Sequence, residues 1–94
     1  METSVVDVPE RGRFEIRQGE RVVGLASYHV DGGLMTLPHT EIDPSFREHG
    51  LGSDLARGAL NLVRADTEYR VVASCPFISK WIGEHAEYQD LLSR

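Results

Sequence analysis

Ninety-four residues suffice for one domain and are too few for two. Ten Lys plus Arg stand against fifteen Asp plus Glu, a formal net charge of −5, which argues against a nucleic-acid partner because nonspecific binding needs a basic surface. The single cysteine, Cys75, excludes an internal disulfide and fits a reducing, cytoplasmic setting. Residues 1–12 are polar and contain Pro9, so a flexible leader is expected, followed by a domain over 13–94. The first residues carry no apolar core of a signal peptide, and no apolar run reaches the length of a membrane span.

Phe14–Arg17 alternates apolar and charged residues, the pattern of a half-buried strand. Gln18-Gly19-Glu20 is turn chemistry, Arg21–Val30 reads as the partner strand, and Asp31-Gly32-Gly33 is the next turn. Leu34–Ile42 is the third strand of an antiparallel meander. Pro38 falls inside it, and because proline cannot donate to a ladder a bulge, edge or break is expected there. From Leu51 the residues Leu51, Leu55, Ala59, Leu62 and Val63 recur at helical spacing. Arg70–Ser74 reads as a fourth strand, and Pro76 suits the first position of a second helix. Phe77, Ile78, Trp81 and Ile82 give that helix an apolar face that reads as core, and Glu87–Leu92 adds a last short turn. The order is β-β-β-α-β-α, an α/β (α+β) fold in which the strand–helix–strand unit of residues 34–74 places two strands side by side and parallel.

The most informative stretch joins the third strand to the helix: Glu41-Ile42-Asp43-Pro44-Ser45-Phe46-Arg47-Glu48-His49-Gly50-Leu51-Gly52-Ser53. A helix N-terminus has unpaired amides and a positive dipole end, which make an anion site. Gly50 and Gly52 let backbone approach a phosphate closely. Glycines that merely shape a turn are the competing reading. The G-x-x-x-x-G-K-[ST] loop is absent, as is a G-x-G-x-x-G after a first strand, which argues against a P-loop and a dinucleotide-binding Rossmann domain.

Arg47-Glu48-His49-Gly50-Leu51-Gly52 resembles the R/Q-x-x-G-x-G/A pyrophosphate loop of the GCN5-related N-acetyltransferases, and Ile42-Asp43-Pro44 looks like the strand end that often precedes it. His39-Thr40-Glu41 and Cys75-Pro76-Phe77 are similar to two further motifs of a small acetyltransferase-like family of about this length, so three motifs stand in the right order over roughly residues 14–92. The resemblance implies a minimal form of that fold and a coenzyme A or acetyl-CoA cosubstrate. Amides of Arg47, Glu48, His49, Gly50, Leu51 and Gly52, with Ser53 opening the helix, would hold the pyrophosphate. The pantetheine arm would lie between the third and fourth strands, meeting backbone near Thr40 and Ile42. The larger members have helices between the first two strands and further strands after the last helix, where much of the acceptor site is built. Here Gln18-Gly19-Glu20 alone joins the first two strands, so coenzyme binding carries over better than catalysis.

Three residue types could carry acyl transfer. By strand alternation Met35, Leu37, His39 and Glu41 are expected on one face, where His39 and Glu41 could take a proton from an incoming amine; a solvated pair at a strand end is the alternative. Cys75 sits where a strand ends and a helix begins, a place that favours thiolate, with His39 one candidate base beside it; a small buried residue is the alternative. His29 and His85 have no metal-ligand spacing with other His or Cys, so no metal site is expected. The expected activity is transfer of an acyl group from coenzyme A to an unidentified amine, a small molecule or a protein. The alternative is a noncatalytic acyl-CoA-binding module or sensor that acts through a partner protein.

Overall fold

A computed structural model describes residues 2–94, with the side chains of Arg47, Glu48 and His49 outside the described set. Five strands form one sheet in the order β1-β2-β3-β4-β5: β1 is Ser4–Val8, β2 Arg13–Gln18, β3 Arg21–Asp31, β4 Leu34–Ile42 and β5 Arg70–Val72. The first four pair antiparallel and β5 joins β4 in parallel. Helix α1, Leu51–Asp66, makes the crossover between those two, and α2, Pro76–Gly83, follows β5. A 3-10 segment over Ala86–Leu92 closes the chain. The turns of the meander fall where expected, with Gly19 at φ 61° and Gly32 at φ 55°, a region that a side chain disfavours.

The helices pack on one face of the sheet. Phe14 and Ile16 on β2, Ala26 on β3 and Met35 and Leu37 on β4 meet Leu51, Leu55, Ala59 and Val63 of α1. Ala56 and Leu60 are buried as well, whereas Leu62 is only partly so, which rotates the apolar stripe slightly from its expected place. The carbonyls at the end of α1 are held by Arg94, whose guanidinium donates to Val63, Arg64, Thr67 and Tyr69.

Two expectations change. The stretch read as a leader contributes β1, which pairs with β2 from Ser4↔Arg17 to Val8↔Arg13. Its Val5 lies where a side chain on Gly58 of α1 would have to be, 2.5 Å from the position of a Cβ there. An edge strand of five residues has too short a pattern to announce itself, and its partner surface on α1 is assembled only by folding. The fourth strand of the sequence reading is also shorter than expected. Its ladder stops at Val72, since the backbone turns so that the Cys75 amide donates to the Leu37 carbonyl at 2.9 Å.

Candidate active site

Proline decides the geometry of β4. The Leu37 carbonyl faces β5, where it accepts from Cys75, so the peptide nitrogen of Pro38 points the other way, towards β3. It has no hydrogen to offer, and there the β3–β4 register slips: Ser27 pairs with His39 but His29 pairs with Thr36, leaving Leu37 and Pro38 opposite Tyr28 alone. The bulge expected at Pro38 is present. A slip of one residue exchanges the faces of everything beyond it. Met35 and Leu37 are buried, but past the bulge Thr40 and Ile42 turn inward while His39 and Glu41 turn outward. The expectation that Met35, Leu37, His39 and Glu41 share a face is therefore corrected by the proline in the middle of the strand.

On the outward face His39 Nε2 lies 3.1 Å from Glu41 Oε1, with both side chains more than half exposed, at 57% and 63%. On the inward face Thr40 meets the start of α2. Its hydroxyl is 3.5 Å from Cys75 Sγ, and Cys75 is the residue that caps the helix, 5% exposed. Burial works to raise the thiol's pKa, but the Thr40 hydroxyl and the backbone amides of Ile78, Phe77 and Thr40 outweigh it and hold the thiol below its ordinary 9.0. His39 leaves β4 on the other face and is paired with Glu41, so it is not a partner of Cys75.

Above the ladder β4 and β5 separate. The Asp43 amide donates to the Val23 carbonyl at 2.8 Å, which by antiparallel alternation turns the amides of Thr40 and Ile42 away from β3 and into the gap. Beyond Ile42 the chain forms a 3-10 turn over Pro44–His49 rather than an open loop. Asp43 caps it, accepting from the Ser45 amide at 2.9 Å and from Arg21 at 3.1 Å. The Ser45 amide, partly opposed by burial and reinforced by Arg21, keeps the Asp43 carboxyl below its usual range. Gly50, at φ 71°, reverses the chain into α1. The first bond of that helix found here runs from the Asp54 amide to the Gly50 carbonyl, so the amides of Leu51, Gly52 and Ser53 precede the regular helix ladder.

The gap and the helix end open on one groove of about 1080 Å³. His39, Thr40, Glu41, Ile42, Gly50, Gly52 and Ser53 line it, so seven of the residues singled out from the sequence meet there. Cys75 is not part of its lining; it lies behind Thr40, whose hydroxyl it meets at 3.5 Å. The side chains of Arg47, Glu48 and His49 lie outside the described residues. Sequence reasoning missed the far wall. Phe77, assigned to the core, is 41% exposed and lies over the loop, with its Cζ 3.0 Å from where a Cβ on Gly52 would be. Trp81 is buried, yet its indole N–H donates to Ser53 Oγ at 2.8 Å and ties α2 to the start of α1. The floor at Gly24 was equally silent: a Cβ there would fall 2.6 Å from Ile42 Cδ1 and 2.9 Å from the Glu41 carbonyl. Helical spacing could not distinguish Phe77 from core because it reports a face, not what that face meets.

The start of α1, the gap between β4 and β5 and the Glu41 carboxylate at the strand's rim thus meet at one groove. The family model for the GCN5-related N-acetyl-transferases matches residues 13–91. The chain belongs to the GCN5-related N-acetyltransferase family. No curated protein matches the chain. As a member of this family it has an acetyltransferase-type function and the minimal form of the family's mixed α+β fold. Among the described residues no three His, Cys, Asp or Glu side chains are grouped to hold a metal ion, and no helix is long and apolar enough to cross a membrane.

Proposed function

We propose that the protein binds acetyl-CoA, or another acyl-CoA, in the groove and transfers the acyl group to an amine. The observation that carries this reading is the coincidence, in one groove, of the α1 N-terminus with the inward amides of Thr40 and Ile42. The pyrophosphate would sit against Gly50, Leu51, Gly52 and Ser53, with the backbone of Arg47, Glu48 and His49 forming the turn before them. Trp81 holds Ser53 Oγ as an acceptor, leaving the serine proton free to donate to a phosphate oxygen. The pantetheine arm would follow the split between β4 and β5, and the amide of Ile42 would donate to the thioester carbonyl as negative charge develops on it.

In that arrangement Glu41 is the proton acceptor for the attacking amine, and His39, 3.1 Å away, orients its carboxylate. The nitrogen attacks the thioester carbon, the C–S bond breaks, and coenzyme A leaves as the thiolate, which takes a proton from solvent while Glu41 releases the amine's proton to solvent. Cys75, buried behind Thr40, would act on the coenzyme's sulfur region through that residue and help seat the thioester. His39 faces away from Cys75, which favours direct transfer over a covalent cysteine route.

Thermal melting tests the reading. Acetyl-CoA at a hundred times its Kd adds about 2.7 kcal/mol, or roughly 11–22 °C for a domain of this size. Gly52→Asp puts a carboxylate beside the phosphates and is expected to abolish the shift. Gly52→Ala asks only that the edge of the Phe77 ring move by a few tenths of an ångström, and is expected to retain most of it. A full shift in the Gly52→Asp protein overturns the placement of the pyrophosphate. Binding without turnover over a broad amine screen would identify a noncatalytic acyl-CoA module instead.

A further inference from the structure

The face of the sheet opposite α1 carries a charge arrangement that lies outside the groove's lining. Glu15 alternates with the core residues Phe14 and Ile16, so its side chain leaves β2 on that opposite face, yet it is only 2% exposed. Its cover is two arginines of the same strand. Arg13 donates through Nε at 2.7 Å and pairs at 2.6 Å with Oε2; Arg17 donates through Nε at 3.1 Å and through a terminal nitrogen at 2.7 Å to Oε1. The hydrogen bond from Arg17, opposed by burial and aided by Arg13, holds the carboxyl below its usual range.

One guanidinium would neutralise Glu15. The second leaves a surplus positive charge on a rigid mount, and each arginine keeps an outer edge of N–H groups in solvent, with 25% and 36% of the side chains exposed. Glu15 stands opposite Leu25 on β3, and Leu25 stands opposite Glu41 on β4. Arg13, Ser27 and His39 form the neighbouring row. The face thus reads carboxylate at the groove, a neutral floor one strand over, and paired guanidiniums one strand further. Two strand spacings are about 10 Å.

We infer that the acceptor is a small amine bearing an anionic group, a carboxylate or a phosphate, about 10 Å from its amino nitrogen, which Arg13 and Arg17 bind while Glu41 receives the amine. This rests on the acyltransferase reading and names its substrate class. The Leu25–Ser27 floor supports the chain between the two ends. Discrimination against an amine lacking the anion follows from the loss of a charge-assisted hydrogen bond.

The experiment compares three probes of one length, 8-aminooctanoate, octylamine and 1,8-diaminooctane, by acetyl transfer from acetyl-CoA. In parallel, the backbone amide shifts of Leu25 and Ser27 are followed by NMR in coenzyme A-saturated protein. In the wild type kcat/KM is expected to favour 8-aminooctanoate over the diamine by about tenfold or more. In Arg13→Gln/Arg17→Gln that ratio is expected to fall to near one. Arg13→Gln/Glu15→Gln/Arg17→Gln makes the same comparison without an unpaired buried carboxylate, and Arg13→Lys/Arg17→Lys is expected to restore part of the ratio. Equal use of the three amines by the wild type, or a preference that survives loss of both guanidiniums, overturns the inference. If no amine is acetylated the transferase reading fails, and the amide shifts still decide the acceptor class: shifts with 8-aminooctanoate that vanish in the triple variant support it, and no shift in the wild type overturns it.

Discussion

Below Pro38, β4 and β5 are one ladder; above it they part. Leu34, Met35 and Thr36 pair with Arg70, Val71 and Val72, and Met35 and Val71 are 2% exposed. Past the proline the same strand keeps its β3 pairing from Ser27↔His39 to Gly24↔Ile42 but has lost β5, and His39 and Glu41 are more than half exposed. Both halves have strand backbone and one neighbour in common. What separates them is a missing N–H at Pro38, which slips the register, and a second proline, Pro76, which starts a helix where β5 would have continued. The lower half contributes stability. The upper half leaves amides facing a groove, the arrangement a ligand can use. The buried ladder and the strand segment that lines the groove are thus separate parts of one nine-residue strand.

That division can be attacked from both sides. The largest effect is expected above the proline. Glu41→Gln should lower acyl transfer about 10²–10⁴-fold while acetyl-CoA affinity and melting temperature stay near wild type. Steady-state rates beside calorimetry check this, and full activity in the variant removes Glu41 as the base. Below the proline the sign is reversed. Met35→Ala leaves a cavity in the closed half and should cost roughly 2–5 kcal/mol of stability. Below its lowered melting temperature it should still bind acetyl-CoA with near wild-type Kd. A Met35→Ala protein that melts normally, or folds but has lost the ligand, would break the comparison.

The smallest effect lies at the junction itself. The Cys75 thiol is held below its ordinary value in part by the Thr40 hydroxyl, so at pH 8 a larger share is thiolate than in a free cysteine. Alkylation by a small reagent should therefore rise with pH through a midpoint below 9.0. Thr40→Val removes a stabiliser of the anion, so it should move the midpoint upward and slow alkylation at pH 8. Saturating coenzyme A should slow the reaction in both proteins. Identical pH profiles for wild type and Thr40→Val would show that Thr40 does not act on the thiol.

By itself the sequence determined what depends on near neighbours along the chain. The glycine turns, the α1 stripe beginning at Leu51, the helix opened by Pro76 and the glycine-bearing helix entry at Gly50–Gly52 are local, because backbone preference and periodicity are set over a few residues. Pro38 announced that β4 would be irregular, since a missing donor is a property of the residue alone. Which way the irregularity would turn the side chains was not local. It needed the register against β3, and that register moved His39 and Glu41 to one face and Thr40 to the other. In the same way β1 is a strand because β2 and the space at Gly58 receive it. Phe77 and Trp81 join the groove because α2 lies across the start of α1, and the face that Arg13, Glu15 and Arg17 share is left uncovered because the helices pack on the other side of the sheet. Each of these is decided by contact between segments far apart in sequence, which spacing along one segment does not encode.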